Sequence, residues 1–294
     1  MLSPDQIEFY RVNGYLTVEN VLQADQVQEL RQLVNTFVER SSQVTQSDDL
    51  FDLEPGHTPE QPKLRRLKNP SDQDPLFDRI VRSDQVLDIV AQFIGPSIRT
   101  NGNKLNMKSA AFGSPVQWHQ DWAFYPHTND DLLAVGLAID DMQIANGCLQ
   151  VIPGSHRGRI YDHHVDGHFA GGISEDDFDD RGAVSLEVPA GGMSIHHART
   201  LHGSLPNTSQ QPRRLWLIQY CAGDAWPLVD VDWKAYGEGF VRGTPTAEPR
   251  VTPIPVRLPL PPAKHGGSIY ENQSVLRRST FSHAVSAGDR VRPT

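Results

Sequence analysis

The chain has 294 residues, 38% of them hydrophobic, a formal net charge of -9 and two cysteines, Cys148 and Cys221. That content suffices for one sizeable core over 1–294, as barrels and sandwiches often run long, whereas two cysteines supply no disulfide framework. The acidic balance disfavours nonspecific nucleic-acid binding, and neither the N-terminal residues nor any later apolar run reads as a signal peptide or a membrane span. The expectation is a cytoplasmic protein acting on a small molecule, without nucleic-acid or membrane partners and with its oligomeric state open.

Helices are expected first. Ser3-Pro4 reads as an N-cap followed by a first-turn proline, and Gly14 as a stop. From Asp25 to about Arg40, Val27, Leu30, Leu33, Val34, Phe37 and Val38 recur at helical spacing, giving one apolar face to pack on a sheet. The polar run 41–62 reads as a loop and a candidate lid. A further helix fits Ser83 to Phe93, stopped at Gly95. These elements make 1–95 a mainly helical scaffold.

Short apolar runs and turn signals then dominate 96–226. Leu132–Ile139 and Cys148–Ile152 read as adjacent strands joined through Asn146-Gly147, and Val184–Val188, Met193–His197 and Leu215–Cys221 continue the pattern. Two facing antiparallel sheets, a jelly roll or double-stranded β-helix with flanking helices, are the economical arrangement. The stretch 227–294, rich in Pro, Gly and Arg, reads as an irregular tail.

The chemistry-bearing stretch is Trp118-His119-Gln120-Asp121. On a strand, residues two apart share a face, so His119 and Asp121 can reach one metal ion, and His202 in Thr200-Leu201-His202-Gly203-Ser204 can supply a third ligand from a distant strand. Two imidazoles and one carboxylate, with open positions opposite, form the facial triad of non-heme Fe(II) oxygenases. His-x-Asp alone is weak evidence, since His164-Val165-Asp166 repeats it. The second copy lies between Gly-rich and Asp-rich stretches and reads as a solvated loop. The first is flanked by Trp122, Phe124 and Tyr125, candidate substrate-binding walls.

Taken in order, His119-Gln120-Asp121, Asn146-Gly147-Cys148-Leu149 with Ile152-Pro153-Gly154-Ser155-His156, His202-Gly203-Ser204-Leu205-Pro206-Asn207 and Pro212-Arg213 resemble the phytanoyl-CoA dioxygenase family of Fe(II)/2-oxoglutarate oxygenases. Phe9–Tyr15 resembles the family's opening helix and strand, and the likeness fades beyond about Trp226. The resemblance implies the jelly roll, Fe(II) as cofactor and 2-oxoglutarate and O2 as co-substrates. Arg213, eleven residues after His202, is the implied clamp for the far carboxylate of 2-oxoglutarate, because a guanidinium pairs with carboxylate through two parallel hydrogen bonds. Arg214 faces the opposite way on a strand and reads as structural. Ser204, Asn106, Lys108 and Asn101 are further implied co-substrate contacts, with Lys68 either another or a solvated cation. Leu137 stands where the family usually has tryptophan.

The implied reaction is hydroxylation of an unactivated carbon of a small metabolite or natural product, with succinate and CO2 released. Asp121 occupies the ligand position that related halogenases leave to chloride. Desaturation, cyclisation or epimerisation by the same chemistry is the alternative, as is a noncatalytic ligand-binding jelly roll, whose signature would be a lost triad residue or arginine. A zinc hydrolase could use the same three ligands but leaves Arg213 without a role. The loop 157–182 and the tail near Trp226–Trp233 are further candidates for the pocket wall.

Overall fold

The computed structural model describes residues 1–111, 113–229, 232–257, 263 and 268–282. Helix α1 (Pro4–Asn13) forms where expected, because Ser3 accepts from the Gln6 backbone while the Gln6 side chain accepts from the Ser3 backbone, and Gly14 ends it at φ 76°. Helix α2 (Ala24–Ser41) buries Val27, Leu30, Val34 and Phe37 on one face. Two further helices, α3 (Pro75–Val81) and α4 (Asp84–Ile94), follow it. Only α4 was legible; α3 is seven residues long and starts at Asp74-Pro75, too short for a periodic signal.

These helices cover the outer face of a large antiparallel sheet. Its strands are β1 (Tyr15–Val18), β2 (Phe51–Leu53), β3 (Leu64–Lys68), β4 (Ile98–Lys108), β6 (Leu132–Ala138), β11 (Met193–His197), β13 (Arg213–Ala222) and β14 (Phe240–Arg242). They run in the order β1-β11-β6-β13-β4-β3-β2, with β14 also on β4. All seven residues of β6 are buried, since helices press one face and the second sheet the other. Phe77 meets Trp216 edge-on at 4.9 Å, and the Tyr220 hydroxyl donates to Val81 O at 2.8 Å, fastening α3 to β13.

The second sheet is smaller, with β5 (Val116–His119), β7 (Leu149–Val151), β10 (Val184–Leu186) and β12 (His202–Ser204) in the order β10-β7-β12-β5. Together the two sheets make the expected jelly roll. A hairpin of β8 (His164–Val165) and β9 (His168–Phe169) stands apart from both. The region 1–95 is less purely helical than its composition suggests, since β1, β2 and β3 all join the large sheet, and β2 lies inside the stretch expected to be loop.

One expected pairing is corrected. β6 and β7 are not neighbours: β6 pairs with β11 and β13, β7 with β10 and β12. The Asn146-Gly147 connection crosses between sheets, and its glycine is required twice over, by φ 74° and because a Cβ there would lie 2.3 Å from Leu205 O. The tail is likewise not wholly irregular, as it supplies α5 (Trp233–Glu238), β14 and α6 (Ile269–Gln273).

β5 is an edge strand whose free backbone groups are engaged by side chains from α6 and beyond. Gln117 N donates to Gln273 Oε1 at 2.9 Å and Trp118 N to Thr280 Oγ1 at 2.9 Å, while Gln273 Nε2 donates to Gly171 O at 2.8 Å. Phe281 packs at 5.6 Å on Trp118. The edge is thereby covered without a further strand. Among the described residues no helix is long and apolar enough to cross a membrane, and both cysteines are free and buried.

Candidate active site

β5 and β12 are antiparallel neighbours with His119 directly opposite His202, their rings 4.0 Å apart. Close approach of the strands requires Gly203: a Cβ there would meet Val116 O at 3.0 Å and Phe281 Cζ at 3.1 Å. Strand β5 ends at His119, and Asp121 opens a 3-10 turn, so the carboxylate reaches the imidazoles by a turn of the chain and not by strand alternation as expected. Between them Gln120, fully buried, accepts from Tyr161 N and donates to Arg159 O and Arg199 O, which fixes the turn against two loops.

His119 Nδ1 lies 2.8 Å from Gln117 O and His202 Nδ1 2.9 Å from Thr200 O. Each carbonyl accepts a hydrogen bond from Nδ1–H, which keeps the proton there and leaves the Nε2 lone pair for a metal. Both Nε2 atoms lie 3.9 Å from Asp121 Oδ1, and the three ligand atoms all fall within 4.8 Å of one another. Burial drives the His119 imidazole down to about 4 and holds His202 well below its ordinary value, so both are neutral at physiological pH. Burial acts to raise the Asp121 carboxyl, but His196, His202 and the Lys104 ammonium hold it well below the usual carboxylate range. Two neutral imidazoles and one carboxylate fit Fe(II).

The triad opens into a narrow cavity that it shares with Arg213. Arg213, Ser204 and Asn106 line one pole of it together with Val116 and Leu149, which lie opposite Ser204, Leu215, which lies opposite Asn106, and Ile269. Arg213 is 2% exposed and, among the described residues, makes no hydrogen bond or ion pair; its Nε is buried without a partner. The neighbouring Tyr270 hydroxyl is also buried without one. A buried guanidinium without a counter-ion is costly, so this pole is built for an anion. Arg66 Nε donates to Asn106 Oδ1 at 3.1 Å, leaving the Asn106 amide N–H groups for a ligand.

Lys108 does not line the cavity. Its ammonium donates to Ser204 Oγ at 2.8 Å and to Leu205 O, so it positions Ser204. Burial and then Arg213 push its pKa well below the ordinary lysine value. Lys108→Met should lower unfolding free energy by about 1–3 kcal/mol in urea titrations, because Leu205 O loses its buried donor.

Other expected residues fall elsewhere. Asn101 lines a separate open groove with Arg99 and Tyr236, and Lys68 pairs with buried Asp52 at 2.9 Å. Trp122 packs in the core with its indole N–H on Pro255 O, while Phe124 stacks edge-on with His119 at 5.7 Å and Phe169 at 4.8 Å. Tyr125 lies beside Asp121; burial and that carboxylate push its phenol well above its ordinary value. Leu137 is opposite Trp216 and belongs to the main core, not to the cavity lining, so its departure from the family pattern leaves the Arg213 pole untouched. Trp226 and Trp233 cluster with Tyr236.

The second His-x-Asp pair diverges, His164 bonding Asp162 and Asp166 pairing with Arg277. The surrounding loop is less exposed than expected: His163 is buried and accepts from Gln120 N. Sequence reasoning missed Lys104, His196, Gln219 and Ile269 in the cavity wall. Alternation from Asn106 and from Arg213 carries a signal for Lys104 and Gln219; α6 offers none.

The phytanoyl-CoA dioxygenase family matches residues 10–215. A probable alpha-ketoglutarate-dependent hypophosphite dioxygenase of Stutzerimonas stutzeri is 36% identical over 285 residues, covering 94% of this chain and 99% of that protein. L-proline trans-4-hydroxylase of Streptomyces griseoviridis is 30% identical over 72% of this chain and 83% of its own length. The fold matches the crystal structure of EctD from S. alaskensis with bound Fe at a TM-score of 0.67, with 20% identity over 87% of this chain and 88% of that one. The chain belongs to the phytanoyl-CoA dioxygenase family, the Fe(II)/2-oxoglutarate-dependent oxygenases whose ligand pattern its smaller sheet assembles.

Proposed function

We propose that the cavity is the active site of a dioxygenase in which His119, Asp121 and His202 hold Fe(II), Arg213 clamps 2-oxoglutarate, and a small-molecule substrate is hydroxylated in a reducing cytoplasm. The observation that carries this reading is the pairing of one neutral-imidazole, carboxylate triad with one unpartnered guanidinium in the same cavity. When bound, Fe(II) with 2-oxoglutarate and O2 supplies a two-electron oxidant and leaves succinate and CO2. Arg213 binds the far carboxylate, and Ser204, Asn106 and Tyr270 offer further donors there. Leu149, Leu215, Val116 and Ile269 flank the methylenes and exclude water. No side chain is asked to act as a general base.

The sequence leads to a carbon of a small metabolite as the hydroxylated atom. A second reading, oxidation of a compact phosphorus anion, is favoured by the Stutzerimonas stutzeri relative, whose name specifies hypophosphite. The test is succinate formation by the Fe(II)-loaded protein with 2-oxoglutarate under air, over a library of small metabolites plus hypophosphite. Succinate should rise above the substrate-free rate with at least one of them. No succinate with any compound, together with no binding of 2-oxoglutarate to the Fe(II) protein, overturns the reading.

A further inference from the structure

Arg213, Leu215, Leu217 and Gln219 share one face of β13, and all line the cavity. Six residues of strand separate Arg213 from Gln219, roughly 20 Å. On β4 the register sets Lys104 opposite Leu217 and Asn106 opposite Leu215. The cavity therefore has a second pole, displaced along β13 from Arg213, bounded by Lys104, His196, Gln219 and Ala134.

That pole is polar and unsatisfied. Both ring nitrogens of His196, 1% exposed, lack a hydrogen-bond partner among the described residues. Among the described residues Lys104 and Gln219 make no hydrogen bond, and Lys104 forms no ion pair, whereas Lys68, opposite it on β3, is paired with Asp52. Buried polar groups normally find partners, so the buried His196 ring, with the half-buried Lys104 and Gln219 beside it in the same cavity wall, defines a place for a polar ligand. Lys104 brings a positive charge to it.

The pole also abuts the metal ligands. His196 Nε2 is 3.6 Å from Asp121 Oδ2, and its ring is 4.2 Å from that of His202. An anion held there has its central atom next to the triad. A longer substrate anchored by its charge would carry its reacting carbon away from the metal position.

We propose that Lys104, His196 and Gln219 seat a compact oxyanion whose central atom itself carries the hydrogen to be replaced. This rests on the dioxygenase reading above. The chemistry has a phosphorus and a carbon form, represented by hypophosphite and formate. For hypophosphite the balance is H2PO2⁻ + 2-oxoglutarate²⁻ + O2 → H2PO3⁻ + succinate²⁻ + CO2. One P–H bond becomes P–OH, phosphorus and 2-oxoglutarate each give two electrons, and O2 takes all four.

The experiment is anaerobic titration of the Fe(II)·2-oxoglutarate protein with hypophosphite and, separately, formate, followed by the visible charge-transfer band and then by succinate formation under air. One anion should perturb the band saturably and stimulate succinate; which one does so identifies the central atom. Lys104→Met should raise its half-saturation at least tenfold while the band still forms, with partial recovery in Lys104→Arg. Gln219→Leu should raise it by a smaller factor and decides the matter if Lys104→Met fails to fold. A band that ignores both anions overturns this inference alone, as does a half-saturation unchanged in Lys104→Met, which would leave Lys104 a counter-charge for Asp121. Failure of the wild-type band to form overturns the dioxygenase reading beneath it.

Discussion

Asp121→Ala is expected to abolish tight Fe(II) binding and substrate-dependent succinate formation. Alanine leaves two neutral imidazoles facing each other and removes the only carboxylate of the triad. Loss of groups that merely support a metal ligand costs about 10–100-fold in affinity, and loss of the ligand itself should exceed that. Isothermal titration with Fe(II) under anaerobic conditions measures it. Wild-type affinity and turnover in this variant would take Asp121 out of the metal site.

Arg213→Ala is expected to weaken 2-oxoglutarate binding by about 1.5–3 kcal/mol, the range for hydrogen bonds to a charged group, which is roughly 10- to 100-fold in apparent KM, while Fe(II) affinity stays near wild type. Stability should move the other way. Arg213 is a buried cation that has no counter-ion among the described residues and lies opposite the buried Lys108, so Arg213→Met should melt no lower than wild type without 2-oxoglutarate and lose the rise in Tm that 2-oxoglutarate gives the parent protein. Arg214→Ala is the contrast. Arg214 holds Asp140 through Nε and Nη2, both at 2.7 Å, and Asn35 through Nη1, so its loss should lower Tm and spare the KM for 2-oxoglutarate. A raised KM in Arg214→Ala with no change in Arg213→Ala would shift the strand register by one.

The parts of the site legible in the sequence are those set by local pattern. His119, Asp121, His202 and Arg213 stand in short motifs whose order carries the information, and Ser3, Gly14 and the α2 periodicity mark helix bounds through capping and amphipathicity. What was not legible depends on pairing at a distance. That β7 lies in the opposite sheet from β6 follows from the crossing at Gly147, which no local signal announces. Lys108 and Ser204 were both expected to touch the co-substrate, yet Lys108 spends its donors on Ser204 and Leu205. His196 sits inside a His196-His197 pair, and nothing in the sequence tells which of the two faces the cavity.

The covering of β5 has a consequence for how the protein is made. A nascent chain that has already produced His119, Asp121, His202 and Arg213 still lacks Gln273 and Thr280, which engage Gln117 and Trp118. Until those residues arrive, the strand bearing the first iron ligand presents an open edge to any other extended chain. A deletion beginning before Ile269, though remote in sequence from His119, Asp121 and His202, thus removes Ile269 from the cavity wall beside Arg213 and should leave the His119 strand open to self-association.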